Sequence, residues 1–248
     1  MNLLVGLAGF ILVLISGGLM LGLSALRRKS PPVFRDIPAY THLRQAIGRV
    51  VEDGSRLHVS LGRAALTTPQ SASALAGLIL LRRLADLTSA SDKPPVATTG
   101  DATMVILAQD MLRAASRAAG QNSYDPTAAR LTGLTPFSFA AGALPAIRDE
   151  NVSASILIGN FGLEAGLLTD ASDREEAFTL AASDNLTAQA IMYASAQDPL
   201  IGEELFAAGA YVDSGRMHAA SLSVQDILRW MIIVVILGGA ALKLVGLV

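Results

Sequence analysis

The stretch SASILIGNFGLEAGLLTD, residues Ser153–Asp170, combines an apolar, β-branched run with three closely spaced glycines. Its first part, ASILIG, has the length and composition of a fully buried strand of the kind found in parallel sheets. Glycine at the end of such a strand permits a tight turn or the close approach of another backbone. The stretch therefore predicts a central parallel strand, with a loop from Gly159 to Gly162 at its carboxyl end.

Strand-like and helix-like segments alternate on both sides of this stretch. Short β-prone runs occur at 56–62, 94–100 and 175–183, with a weaker one after residue 129, and helical patterns occur near 68–88, 101–120, 137–144, 184–197 and 199–212. Strands that alternate with helices through short connections pair in parallel and carry helices on both faces of the sheet. The sequence predicts a Rossmann-like, three-layer α/β domain with a mostly parallel sheet over residues 55–215.

Both ends of the chain are long apolar runs. Residues 3–26 contain no charged side chain and no proline, and residues 230–248 are interrupted only by Lys243. About 20 apolar residues cross a bilayer as a helix, and a lysine near the interface can extend its stem to water. We predict a transmembrane helix at 3–26 and a juxtamembrane and transmembrane helix at 223–248. A cleaved signal peptide is the alternative for the first run, but its basic residues follow the apolar core.

Residues 27–54 connect the first apolar run to the domain. Pro31, Pro32 and Pro38 favour an extended linker. Leu43, Ile47 and neighbouring apolar residues then recur at helical spacing, which predicts an amphipathic helix ending near Gly54.

Basic residues flank the two apolar runs unequally. Those on the side of the middle domain are Arg27, Arg28, Lys29, Arg35, Arg216 and Arg229, whereas Lys243 is alone on the other side. Since Lys and Arg near a span resist translocation, the pattern predicts a cytoplasmic domain with both termini outside. The expected location is the bacterial inner (plasma) membrane, and the lipid bilayer is the first expected partner.

Small residues recur within both apolar runs. Gly18 and Gly22 lie four residues apart, and the second run contains Gly238, Gly239 and Gly246. Small residues let helices approach closely in lipid. We therefore expect the spans to pack on each other or on copies of the chain, giving a homo-oligomer, with other membrane proteins as further candidate partners.

Loops at the carboxyl edge of a parallel sheet are the usual place for a ligand. The candidate ligand-binding residues there are Gly62, Thr99, Gly100, Asp101, Gly159, Asn160, Asp184 and Asn185. However, GNFGLEAG does not match the dinucleotide fingerprint, and the chain contains no P-loop motif. The glycines can equally serve tight turns and close packing, and Asp101 and either Asp184 or Asn185 can serve as plain helix caps.

Catalytic and nucleic-acid-binding signatures are absent from the sequence. The three histidines, His42, His58 and His218, fall in no catalytic or metal-binding motif. The arginines are scattered and the net charge is −2, whereas nucleic-acid binding needs a basic surface. We expect no nucleic-acid partner, metal or cofactor, and the pattern favours a non-enzymatic role.

Two segments carry a resemblance to a known family. They are FRDIPAYTHLRQAIGRVVEDGSRLHVSLGRAAL (34–66) and AAGAYVDSGRMHAASLSVQDILRW (207–230). At these segments the chain resembles an uncharacterised family of bacterial membrane proteins, a domain of unknown function. The resemblance implies two terminal spans around an α/β domain, and it carries over no catalytic residue.

Two functions from different classes fit these patterns. The preferred one is a membrane-anchored structural or scaffold protein that self-associates through its spans and its α/β domain. The alternative is a membrane-tethered module that binds or senses a nucleotide or another small anion at the sheet edge.

Overall fold

The structure is a computed structural model that describes residues 2–26, 34–88, 91, 93–121, 124–212 and 216–244. The chain divides into two compact units, one formed by the two terminal regions and the other by residues 36–214. The predicted basic cluster Arg27, Arg28 and Lys29 lies outside the described residues, as does Gly246.

Residues 36–214 form an α/β domain with a parallel sheet. The strands are β1 (Arg56–Gly62), β2 (Val96–Thr99), β3 (Ala129–Leu131), β4 (Val152–Asn160), β5 (Phe178–Ser183) and β6 (Asp198–Leu200). They are ordered β3-β2-β1-β4-β5-β6, and every neighbouring pair is parallel. The order reverses between β1 and β4, as in doubly wound folds. This confirms the predicted fold class and supplies the strand order.

Helices cover both faces of the sheet. They are α2 (Pro38–Glu52), α3 (Ser71–Leu87), α4 (Ala102–Ala118), α5 (Pro136–Arg148), α6 (Ala165–Arg174), α7 (Leu186–Ser195) and α8 (Glu204–Tyr211). Because successive strand residues point to opposite faces, Val59 and Ile156 pack in one core with α2, α3, α4 and α8. Leu157 and Ala181 pack in a second core with α5, α6 and α7. The domain therefore has the three layers that the sequence predicts.

Local sequence signals explain several helix ends. The Asp101 side chain accepts hydrogen bonds from the backbone N–H groups of Thr103 and Met104, and Asn185 caps α7 by accepting from Thr187 N–H. Gly120, just beyond α4, has φ +74°, a conformation that glycine adopts without strain. The predicted cap at Asp101 is confirmed, and Asn185, not Asp184, caps α7.

The structure differs from the sequence prediction in three element boundaries and in two additional elements. Helix α3 begins at Ser71, not at Thr68 or Pro69, because residues 66–70 form turns. Helix α5 continues to Arg148 with Pro145 inside it. Helix α6 and the short strand β6 were not predicted. In addition, β4 continues through Asn160, so Gly159 belongs to the strand and not to the loop.

The terminal regions form two apolar helices, α1 (Asn2–Leu26) and α9 (Arg216–Leu244), which contact each other. Within α9, residues Ala220–Leu244 are long and apolar enough to cross a membrane, and their most apolar window is not buried in the protein. In α1 the corresponding apolar segment is shorter, Gly9–Ala25. The structure thus contains one helix of spanning length in the described residues.

Candidate functional site

The loops after β1, β2, β4 and β5 meet at the carboxyl edge of the sheet. Gly62 of β1 pairs with Asn160 of β4, and its carbonyl oxygen accepts a hydrogen bond from Gly100 N–H at 2.8 Å. The Asn160 side-chain amide donates to the Asp184 carboxylate at 2.6 Å. The structure therefore brings Gly62, Gly100, Asn160 and Asp184 into one hydrogen-bonded group.

Two glycines allow β1 and β4 to approach each other closely at this edge. Gly62 has φ +66°, and a Cβ atom there would lie 2.2 Å from the carbonyl oxygen of Asn160. Gly159 has φ +151°, and its Cβ would lie 2.2 Å from the carbonyl oxygen of Leu61. Both distances are far inside van der Waals contact, and the strand pairing shifts register between Ser60 and Gly62. These glycines are explained by backbone packing alone.

An ion pair lies across the point where the strand order reverses. Arg63, directly after β1, places its Nε 3.0 Å from Oε1 of Glu164, which follows β4. The Glu164 side chain is only 1% exposed, so the charge needs this partner. A Cβ at Gly100 would lie 2.5 Å from the Arg63 Cγ, which shows how closely the stem of Arg63 packs over the β2 loop. An ion pair of the protein's own side chains thus lies at the point where doubly wound folds usually bind a ligand.

Sequence reasoning missed Arg63 and Glu164. Glu164 is the only charged residue between Ser153 and Leu168, which is the signal that could have identified it. A charged side chain inside an apolar, glycine-rich stretch needs a partner once it is buried. Nothing in the local sequence identifies Arg63 as that partner, because the pairing depends on β1 lying beside β4.

The amino termini of α4 and α7 at this edge are occupied by side chains of the protein. The Asp101 carboxylate accepts from Thr103 N–H at 2.9 Å and Met104 N–H at 3.1 Å, which are the groups that would bind an anion. The Thr99 hydroxyl donates to the Gly62 carbonyl oxygen at 3.3 Å and accepts from Asp101 N–H at 3.2 Å. Asn185 caps α7 in the same way as Asp101 caps α4. The eight candidate residues are therefore at one edge, engaged with each other or with their own helices.

His58 lies in the middle of the sheet and is fully buried between polar neighbours. Its Nδ1 is 3.0 Å from the Ser155 hydroxyl and its Nε2 is 2.9 Å from the Thr98 hydroxyl, which in turn donates to Ser60. Burial lowers the pKa of His58 to about 4, so the ring is neutral at neutral pH. This network joins β1, β2 and β4 across one face of the sheet.

Several other ionisable groups form pairs within the domain. Glu150 accepts hydrogen bonds from both Arg56 and Arg130, and these bonds hold the pKa of Glu150 below its ordinary value despite the opposing effect of burial. His42 is exposed, with Nδ1 3.0 Å from the Asp198 carboxylate. Among the described residues, no group of three or more His, Cys, Asp or Glu side chains could hold a metal ion. The His218 side chain lies outside the described residues.

A small pocket lies at the opposite edge of the sheet, between α3 and α4. Its volume is about 40 Å³, and its walls include Thr88, Leu112 and Tyr124. Small-molecule sites typically measure at least roughly 300 Å³. The pocket is too small to compete with the carboxyl edge as a candidate site for a nucleotide.

Comparison with known proteins gives a family and no assigned chemistry. No curated protein and no solved structure matches the chain. A family model described as a domain of unknown function, DUF6754, matches residues 4–248. Because this match extends over almost the whole sequence, the chain belongs to the DUF6754 family.

Proposed function

We propose that this protein is a membrane-anchored structural protein that self-associates. The observation that carries the proposal is α9, in which Ala220–Leu244 is long and apolar enough to span a bilayer and is not buried in the protein. A helix of this length and composition is stable in water only when its apolar surface is covered, and lipid covers it. The α/β domain is thereby held at a membrane surface.

The carboxyl edge of the sheet favours a structural role over the ligand-binding alternative. The Arg63–Glu164 ion pair lies at the point where the strand order reverses, and the Asp101 cap occupies the amides at the start of α4. A nucleotide or anion would have to displace these contacts, each of which satisfies a buried or partly buried polar group. A scaffold domain binds no ligand at this edge, so these contacts can remain in place.

The proposal includes a second span in α1 and a cytoplasmic domain in the bacterial inner membrane. Its support is the apolar composition of α1, its contact with α9, and the basic residues on the domain side of the two helices. Arg229 lies on that side, where it is paired loosely with Asp226 at 3.9 Å. Lys243 lies in the last turn of α9, where its side chain can reach the far interface.

A single cysteine tests both the anchoring and the orientation. The chain has no cysteine, and Glu175 is exposed at the carboxyl end of α6, so Glu175→Cys provides one accessible thiol. We expect the protein to remain in the membrane pellet after an alkaline wash. A membrane-impermeant maleimide should label it only after the cells are permeabilised.

The control places the cysteine at Asn2, which should be labelled in intact cells. Release of the protein by the alkaline wash would contradict anchoring. Labelling of Glu175→Cys in intact cells would leave anchoring in place and reverse the orientation.

A further inference from the structure

The carboxyl edge of the sheet carries a row of exposed large apolar side chains. We call it the apolar rim, and it consists of Leu134, Phe137, Leu163, Leu167, Leu186 and Ile201. Leu186 is 80% exposed, Leu134 70% and Phe137 66%. Large apolar side chains at this edge are unexpected, because the loops of a doubly wound fold usually present polar groups to a ligand there.

The fold places these residues along the same edge of the sheet. Phe137, Leu167 and Leu186 lie in the first turns of α5, α6 and α7, which begin at this edge. Helix α5 contacts α6, and α6 contacts α7, so the three helix starts form a row. Ile201 follows β6, and the neighbouring Gly202 N–H donates to the Gln189 side chain of α7 at 3.2 Å.

The rim residues do not belong to the hydrophobic core of the domain. The same helices already bury their inward faces, with Phe139, Leu168 and Ala188 fully covered in the second core. Summed over the six rim residues, the exposed fractions correspond to on the order of 700 Å² of accessible surface, which is comparable with the largest apolar patch on a typical monomer. One partner of a standard protein interface buries about 800 Å². The rim has the size of an interface.

We infer that the apolar rim is the surface through which the α/β domains of two copies of this chain associate. The inference rests on the proposed self-association and assigns it to one surface. An uncharged apolar surface is complementary to itself, which an interface with two-fold symmetry requires. The charged groups lie beside the rim and not within it: Arg63 is paired with Glu164, and the Asp184 carboxylate accepts a hydrogen bond from Asn160. Two rims can therefore meet through side chains that carry no charge.

A second copy fits the rim better than a lipid surface does. Peripheral contact with an anionic bilayer depends on lysine and arginine beside the apolar residues. The rim contains neither, and Arg63 beside it is neutralised by Glu164. The surface chemistry matches another apolar protein face.

Cysteine cross-linking in native membranes tests the position of the interface. In the full-length, cysteine-free chain, Leu186→Cys places one thiol in the rim, and Tyr193→Cys places one two turns further along the same helix. The two positions are similarly exposed, at 80% and 72%. With a short bis-maleimide we expect at least five times more covalent dimer at Leu186→Cys than at Tyr193→Cys. Equal yields, or no dimer at Leu186→Cys, would overturn the inference.

A charge variant separates failure of this inference from failure of the proposed function. Glutamate in the first turn of a helix is favourable, so Phe137→Glu together with Leu186→Glu preserves α5 and α7. In detergent we expect this variant to need at least ten times the protein concentration of the wild type to self-associate, whereas Tyr193→Glu behaves as the wild type. If the wild type and the double variant self-associate equally, the apolar rim is not the interface, although the chain still self-associates. If the wild type is a monomer, both proposals fail.

Discussion

His58 shows how one buried side chain couples stability to pH. Desolvation is the main cause of its low pKa of about 4, the nearby carboxylate of Glu150 opposes the shift, and the charge of Arg130 adds to it. The ring must therefore stay neutral in the folded protein. In the unfolded chain the pKa of histidine is near 6.5, so the unfolded state takes up a proton first as the pH falls.

This difference gives a prediction with a defined sign. Stability from neutral His58 is fully present above pH 6.5 and is lost as the pH falls toward 4, at up to about 1.4 kcal/mol per pH unit. Between pH 6.5 and pH 5 we expect the free energy of unfolding of the solubilised protein to fall by about 1.5 kcal/mol. Urea unfolding at several pH values measures it. His58→Gln should flatten the dependence in this window, and an unchanged slope in that variant would contradict the assignment.

Two local signals illustrate what the sequence predicts at the scale of single residues. The sequence predicts Asp101 as the cap of α4, and Gly120 lies just beyond the end of that helix, and both roles depend only on neighbouring backbone groups. The Arg63–Glu164 pair was not predicted, because its partners are 101 residues apart in sequence. Local signals are enough to predict caps and turns. A contact between residues that follow two different strands can be predicted only when the strand order is known.

At the scale of elements, the pairing of β1 with β4 depends on glycine. Gly159→Ala would place a methyl group 2.2 Å from the Leu61 carbonyl oxygen and would force an unfavourable backbone conformation. We expect this variant to lose about 3 kcal/mol or more, and its thermal unfolding midpoint to fall by several degrees.

Gly48→Ala is the matched control for this variant. Gly48 lies inside α2 with open space around its Cα, so alanine there should stabilise the protein by about 1 kcal/mol. If both variants changed the unfolding midpoint in the same direction, the close approach of β1 and β4 would not explain Gly159.

The elements also show why some of the fold was not predicted. The stretch around β4 has a strong signal, because nine residues with six consecutive buried positions form a continuous apolar run. Strand β6 has only three residues, Asp198–Leu200, and includes a proline that is tolerated at the edge of the sheet. Helix α6 begins inside a glycine-rich segment that reads as a loop. Short elements of this kind form because the neighbouring elements hold them in place.

At the scale of the whole molecule, the chain combines an apolar terminal helix with an α/β domain that has an apolar edge. Helix α9 contains a candidate span, and the apolar rim is exposed on the α/β domain in the part of the chain that the structure describes. The fold class and the apolar ends follow from the periodicity and length of sequence segments. The rim does not follow from the sequence, because its residues belong to separate loops and helix starts that reach one edge only once the strands are ordered.

The molar mass of the full-length protein in detergent tests the central claim most directly. Light scattering combined with size-exclusion chromatography separates the protein mass from the detergent mass, and one chain has a mass of 25.8 kDa. The account predicts a protein mass of at least two chains, falling toward one chain on dilution. A mass of one chain at every workable concentration would contradict self-association and, with it, the structural role proposed for the protein.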